Sequence, residues 1–284
     1  MKKVKRVIKF YIKLLKTPQT GLLLFTSIAG YLASSGYLPT ELVVLAMLGI
    51  VLAIGGATAL NMSFDEDIDA KMNRTKNRPI PKGILTSRKA LIFGWILIII
   101  GMVISYWIQP LYSLIVAFGV FFNYIIYTLW LKRRSALSII FGGLAGGMPI
   151  LAGRVLAIGN IDLIGILMSL GILFWIPTHI LSLAMNHSDD YRIAGVPTIP
   201  NKFGFTKTRY FITAANIIAV VIFLYICLLL EISKTGIMIL LFGSIVLIVT
   251  SLIIIFKPSE KANFYLFKFA SLYMVIAMII MMVR

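Results

Sequence analysis

Residues 65–69 of this chain read Asp65-Glu66-Asp67-Ile68-Asp69, four acids directly after an apolar run of bilayer-crossing length. Asn61, Asp65 and Asp69 recur every four residues, and on a helix that spacing stacks all three on one face. Stacked carboxylates repel, and the low dielectric at a membrane edge sharpens the repulsion. A helix ending here adds the negative end of its dipole. A divalent cation relieves all three effects. The donors are oxygens, with no His or Cys close by, which favours Mg²⁺ bound through one or two carboxylates and substrate phosphates. Lys71, Arg74, Lys76, Arg78 and Lys82 follow at once. Arg forks match phosphate oxygens, so Arg74, Arg78 and Lys82 read as contacts to a metal-bound diphosphate. The plainer alternatives are solvated acids and a basic loop that fixes membrane orientation.

A second acidic group follows the same rule. Asn186-x-x-x-Asp190 repeats the spacing of Asn61-x-x-x-Asp65, and Asn186, Asp189 and Asp190 form a second candidate metal cluster. Six of the ten acids in the chain fall in these two places. Both places end an apolar run, the second and the sixth, which are equivalent if the chain is a four-helix unit repeated plus one more helix. Membrane proteins commonly build a site between two such halves.

The elements that position these residues cross a membrane. Of 284 residues, 60% are hydrophobic and 13% charged, with a mean hydropathy of +0.98. A soluble domain is closer to half apolar. The expected fold is all-α and polytopic: nine transmembrane helices around a central cavity open to the cytoplasmic side. The spans are placed at 19–37, 42–63, 89–108, 111–131, 136–157, 162–185, 209–230, 236–256 and 263–283, each near the roughly 20 residues that cross a bilayer. Net charge is +17. It lies in the gaps between spans, so it reports orientation rather than nucleic-acid binding. With four exceptions, all 27 Lys and Arg fall in the N-terminal tail or the even-numbered gaps. Arg154, Lys234 and Arg284 lie on the other side and Lys268 within the last span. That bias puts the N-terminus in the cytoplasm and the C-terminus outside.

Residues 1–18 stand apart from the single domain over 19–284. Lys5, Lys9, Lys13 and Lys16 fall on one helical face and Val4, Ile8, Tyr11 and Leu15 on another, the pattern of a helix lying on an anionic bilayer surface or of a basic topogenic tail. No cleavable signal peptide is expected. The single Cys227 lies in an apolar run, which excludes disulfides and Cys-based metal sites.

Three further features bear on a ligand. Lys132 and Arg133 end the fourth span with no local acid, as substrate contacts or as topology signals. His179 sits inside the sixth span, where ionisable groups are functional by default, although a hydrogen-bonded bundle His is the plainer reading. Gly142–Gly153, GGLAGGMPILAG, either lets helices approach closely or leaves room for a flat ligand.

These motifs resemble the UbiA superfamily of intramembrane prenyltransferases. The likeness is carried by NMSFDEDIDAKMNRTKNRPIPKG from Asn61, IIYTLWLKRRSALSIIFGGLAGGMPILAGR, WIPTHILSLA around His179 and DDYRIAGVPTIP from Asp189, and spans most of residues 19–210. His179 and the Asp190-Tyr191 motif point to the heme branch. The chain departs from that branch at Thr178, Ile180, Leu181, Thr198-Ile199 and Arg154. The resemblance implies Mg²⁺-dependent transfer of a farnesyl group from farnesyl diphosphate to a vinyl group of heme B, in the cell membrane. Asp65, Asp69 and Asp190 would hold the metal ions with Asn61, Asn186 and Asp189. Lys132 would join the diphosphate contacts and, with those three Asp residues, serve catalysis, while His179 and Tyr191 would bind the acceptor. A heme-using terminal oxidase would follow as partner. Other acceptors, a quinone precursor or a glycerol-phosphate lipid, and a non-enzymatic transporter are the alternatives. A transporter places its charges near the midplane, unlike these helix-end acids.

Overall fold

Every regular element of the computed structural model is a helix among the described residues, 2–34 and 36–283, with side chains from residue 8 onward. The side chains of Val4 and Lys5 in the expected amphipathic face, and Arg284 of the charge pattern, lie outside them. The order is α1 (Lys2–Leu14), α2 (Thr17–Leu32), α3 (Thr40–Phe64), the short α4 (Glu66–Lys71), α5 (Ser87–Ile108) and α6 (Pro110–Val120), which continues as a π-helix over Phe121–Leu131. Then come α7 (Ser138–Ile158), α8 (Leu163–Asn186), the short α9 (Ser188–Ile193) and α10 (Ile199–Phe203), α11 (Phe205–Leu229), α12 (Lys234–Phe256) and α13 (Glu260–Met282).

Among the described residues eight helices, of 21–25 residues, are long and apolar enough to cross a membrane: α3, α5, α6 with its π-helical continuation, α7, α8, α11, α12 and α13. Large apolar side chains such as Trp107, Phe242 and Phe256 stand exposed on them, as expected where lipid is the solvent. This is a multi-pass membrane protein. The expected first span, 19–37, is instead the 16-residue α2. It stops at Leu32, and local hydrogen bonds follow. Ser34 Oγ donates to the Gly30 carbonyl at 2.6 Å, and the Leu38 N–H reaches Tyr31 Oη at 3.2 Å.

Sequence chemistry explains the other boundaries. Gln109 is extended (φ −161°, ψ 116°) before Pro110, and it separates α5 from α6. Thr86, Asp162, Ser233 and Ser259 cap α5, α8, α12 and α13 by accepting backbone N–H groups of the first turn.

Successive long helices are neighbours and α13 returns to α2, which closes a ring; α2 also crosses α7. Two large apolar cores result, beside smaller ones. One joins α8, α11, α12 and α13 around Phe223 and Tyr273, the other α2, α3, α6 and α7 around Tyr112 and Ile150's neighbour Leu151. Close backbone approach holds the crossings. A Cβ at Gly153 would meet the Ser27 carbonyl and one at Gly30 the Ile150 carbonyl, each inside van der Waals contact. In the run Gly142–Gly153 the positions beside Gly142, Gly143, Gly146 and Gly147 are filled by Tyr127, Leu173, Ile176 and Ser169. Helix packing, not an open slot for a flat ligand, occupies that small-residue face.

Candidate active site

α3 breaks at Asp65 (φ −91°, ψ 12°), yet the four-residue spacing survives the break. The Asp65 N–H donates to the Asn61 carbonyl at 3.0 Å, and the Asp69 N–H donates to the Asp65 carbonyl at 2.7 Å. Asp65 thereby opens α4, whose first turn carries Glu66, Asp67 and Asp69. The end of α3 therefore disfavours these charges and the start of α4 favours them.

Asp65 and Asp69 are buried, at 4% and 3% exposure. Each is paired with a base from elsewhere in the chain. Lys132 donates to Asp65 Oδ2. Arg78 grips both oxygens of Asp69, at 2.8 and 2.6 Å. The π-helix sets the position of Lys132, whose N–H bonds five residues back to the Tyr127 carbonyl at 2.8 Å. Such π segments are frequent at functional sites. Arg133, next in the chain, turns outward instead. It holds the Asp67 carboxylate at 2.7 and 2.8 Å and lies over the Phe64 ring. That hydrogen bond keeps the Asp67 carboxyl below its ordinary range.

The second motif meets the first through the loop after α4. Asp190 accepts the Asn73 N–H at 3.2 Å, the Asn73 Nδ2 at 3.3 Å and the Arg74 N–H at 3.2 Å. Burial alone would raise its pKa; the Arg74 and Asn73 donors outweigh it and hold the carboxyl low. Arg74 Nη2 also donates to Tyr191 Oη at 3.3 Å, and burial pushes that phenol up, so it stays neutral. A small apolar core of Ile68, Met72, Ala194 and Val196, with Tyr191 against it, fastens the two segments together.

The remaining expected residues are placed as follows. Asn61 is buried and donates through Nδ2 to Asn123 Oδ1 at 3.3 Å. Asp189 is exposed and pairs with Arg192 at 2.7 Å. Asn186 is exposed on the α8–α13 side, where it lines a depression with His187, Glu260, Lys261 and Phe264. Lys82 is exposed beside Gly83 (φ 69°), at the end of the loop, and enters no ion pair among the described residues. His179 lies between Trp175 (ring centroids 5.1 Å) and Phe267 (4.6 Å), with Nδ1 3.3 Å from Ser271 Oγ. Arg154 is buried at the opposite end of the bundle, in a two-pronged pair with Asp162 at 2.6 and 2.5 Å and a bond to Ser34 Oγ.

Three participants escaped the sequence reading. Asn123 was visible as a lone amide in an apolar span. Asn73 had no signal beyond its place in the loop. Lys16, at the left-handed α1–α2 joint (φ 44°), sits among Arg78, Lys132, Asp65 and Asp69. Burial, with the Arg78 and Lys132 charges, brings its ammonium down to about 8.

The residues fit a magnesium ion. Asp65 Oδ1 is buried with no hydrogen-bond partner, a free ligand position on an anionic donor. Among the described residues no group of three or more His, Cys, Asp or Glu is placed to hold a metal ion by itself, so a cation at Asp65 would need the rest of its shell from substrate phosphates and water.

Known proteins resemble this chain in sequence and in fold. Residues 22–273 match the UbiA prenyltransferase family. A protoheme IX farnesyltransferase of Korarchaeum cryptofilum is 41% identical over 76% of this chain and 73% of its own length. One of Pyrobaculum islandicum is 35% identical over 92% of this chain and 94% of its own. In three dimensions the chain is similar to a digeranylgeranylglyceryl phosphate synthase, with a TM-score of 0.82, 22% identity and 97% of each chain covered. It is also similar to a UbiA homolog from Archaeoglobus fulgidus bound to GPP and Mg²⁺, with a TM-score of 0.69, 15% identity and 96% and 99% covered. Two acidic motifs ending matched helices, joined across one end of an all-helical bundle, with a family match over nearly the whole chain, make this protein a member of the UbiA prenyltransferase family.

Proposed function

We propose that this chain is a prenyltransferase that moves a farnesyl group from farnesyl diphosphate to a vinyl group of protoheme IX, giving heme O and diphosphate. One observation carries the reading: each buried acid of the two motifs is held by the base or loop that would hold the diphosphate. Asp65 is held by Lys132, Asp69 by Arg78 and Asp190 by the backbone of Asn73 and Arg74. The relatives named protoheme IX farnesyltransferase support heme as the acceptor.

Asp65, Asp69 and Asp190 would hold Mg²⁺, with Asn61 as a further oxygen donor; Asn186 and Asp189, which face away from these acids, would have to turn inward to join them. The metal would supply charge neutralisation of the departing diphosphate. Lys132 and Arg78, released from the acids, would turn to the diphosphate oxygens together with Arg74, whose guanidinium rests on Tyr191 Oη, and Lys82 would reach them from the loop end. The apolar helix walls keep water from the allylic carbon while its C–O bond breaks. A vinyl carbon of heme bonds to that carbon, water adds to the other vinyl carbon, and the water's proton goes to solvent. His179, flanked by flat rings, orients or ligates the heme, and Tyr191 keeps Arg74 in place beside it.

The wider placement belongs to the same reading. α2 would be the ninth span, packed through Gly30 on the backbone of α7. The bundle encloses a cavity open to the cytoplasm, with the N-terminus inside, the C-terminus outside and residues 1–18 on the cell-membrane surface. Heme O then passes to a terminal oxidase. The test is mass spectrometry of products from purified protein, heme B, Mg²⁺ and prenyl diphosphates of several lengths. Hydroxyethylfarnesyl heme that disappears with Asp65→Asn supports the reading. Prenylation of a quinone or lipid acceptor, with none of heme, overturns it.

A further inference from the structure

Lys268 takes no part in anything described so far. It is exposed, eight residues into α13, in a membrane span where a charged side chain is costly and is functional by default. It enters none of the ion pairs among the described residues. Its Nζ rests over the Phe264 ring, 4.5 Å from the centroid.

Helical spacing puts Phe264, Phe267, Lys268 and Ser271 on one face of α13. Phe267 and Ser271 are the two residues of α13 that touch His179. Depth agrees as well. At 1.5 Å per residue Lys268 lies about 12 Å from the Glu260 end of α13, and His179 about 10 Å from the Asn186 end of α8. Phe264 continues the same face outward to the depression of about 410 Å³ that it shares with Asn186, His187, Glu260 and Lys261. The α8–α13 seam thus carries flat aromatic rings, an imidazole and, at the same depth, a cation without a carboxylate.

We propose that Lys268 binds the carboxylate edge of the flat acceptor held at the edge of the His179 ring, and so fixes which edge faces the prenyl donor. The argument rests on the heme reading above. A protoporphyrin carries both propionates on one edge and its vinyl groups away from it. An ammonium that anchors the acidic edge turns a vinyl toward the diphosphate end of the bundle. A snorkelling Lys that only reaches lipid headgroups would not discriminate between acid and ester forms of the ligand.

The experiment is an absorbance titration of purified protein in detergent with heme B and with its dimethyl ester, without Mg²⁺ or prenyl donor. Lys268→Met should weaken binding of the free acid about tenfold, the worth of a hydrogen bond to a charged group. It should leave the ester within about twofold of wild type, and Lys268→Arg should restore the acid. In turnover, KM for heme B rises with Lys268→Met while KM for farnesyl diphosphate does not. Equal binding of acid and ester by wild type, or an unchanged acid affinity in Lys268→Met, overturns the assignment. If wild type binds heme but makes no heme product, the transfer reading fails and the titration still decides the role of Lys268.

Discussion

Replacing Lys132 by Met tests the charge logic of the site directly. Lys132 and Asp65 are 14% and 5% exposed at their side chains, and the second oxygen of Asp65 has no partner at all. Without the ammonium, both oxygens of a buried carboxylate lose compensation. Breaking a buried pair from one side costs about 3–5 kcal/mol; the partial exposure of Lys132 argues for the low end, about 3 kcal/mol. That is more than a hundredfold in the folding equilibrium constant. The expected outcome in thermal unfolding in detergent is a clear loss of stability for Lys132→Met. Added Mg²⁺ should restore much of it, because the metal now meets an unpaired carboxylate. Wild type should respond far less to Mg²⁺ alone, since there the ion must displace Lys132, and should respond once inorganic diphosphate is present to take the released ammonium. Turnover of Lys132→Met should fall about 10²–10³-fold, the usual consequence of removing one charge stabiliser. If the variant unfolds like wild type and Mg²⁺ leaves both unmoved, Asp65 is not a metal ligand held in reserve by Lys132.

Four other outcomes are expected. The Asp190 carboxyl lies below its ordinary range, so its hold on the Asn73–Arg74 loop is complete above the unfolded pKa near 3.8 and lost as pH falls through the lower folded value; pepsin cleavage of residues 72–82 should accelerate only below that pH, and Asp190→Asn should show the faster rate throughout. Gly153→Val drives a side chain into the Ser27 carbonyl and should cost up to about 3 kcal/mol, while Gly21→Ala, with nothing near its Cβ, should stay within about 0.5 kcal/mol; unfolding midpoints compare them. His179→Ala should weaken heme binding in an absorbance titration and leave diphosphate binding by calorimetry unchanged. Arg133→Ala removes a pair whose members are 35% and 58% exposed and should shift stability by less than about 1 kcal/mol.

Much of this was legible in residue order. The apolar runs located the eight crossing helices within a few residues, because a bilayer fixes their length and composition. The number of spans was less legible. The expected first span ran on to residue 37, whereas α2 ends at Leu32, where Ser34 and Tyr31 make local hydrogen bonds. Spacing stacked Asn61, Asp65 and Asp69, and local backbone bonds kept that spacing across the break in α3. Arg154, at odds with the family pattern, gained its meaning only from Asp162, folded back to meet it.

The sequence by itself determined that this chain spans a membrane and carries two acid motifs at matching helix ends, since hydropathy and i, i+4 spacing are local properties. Only the tertiary structure decided which base each acid meets. Lys132 reaches Asp65 across 67 positions and Asn73 reaches Asp190 across 117. The same packing turned Asp190 inward and its neighbour Asp189 out to Arg192. Such choices depend on distances between helices far apart in the chain, which no local pattern encodes.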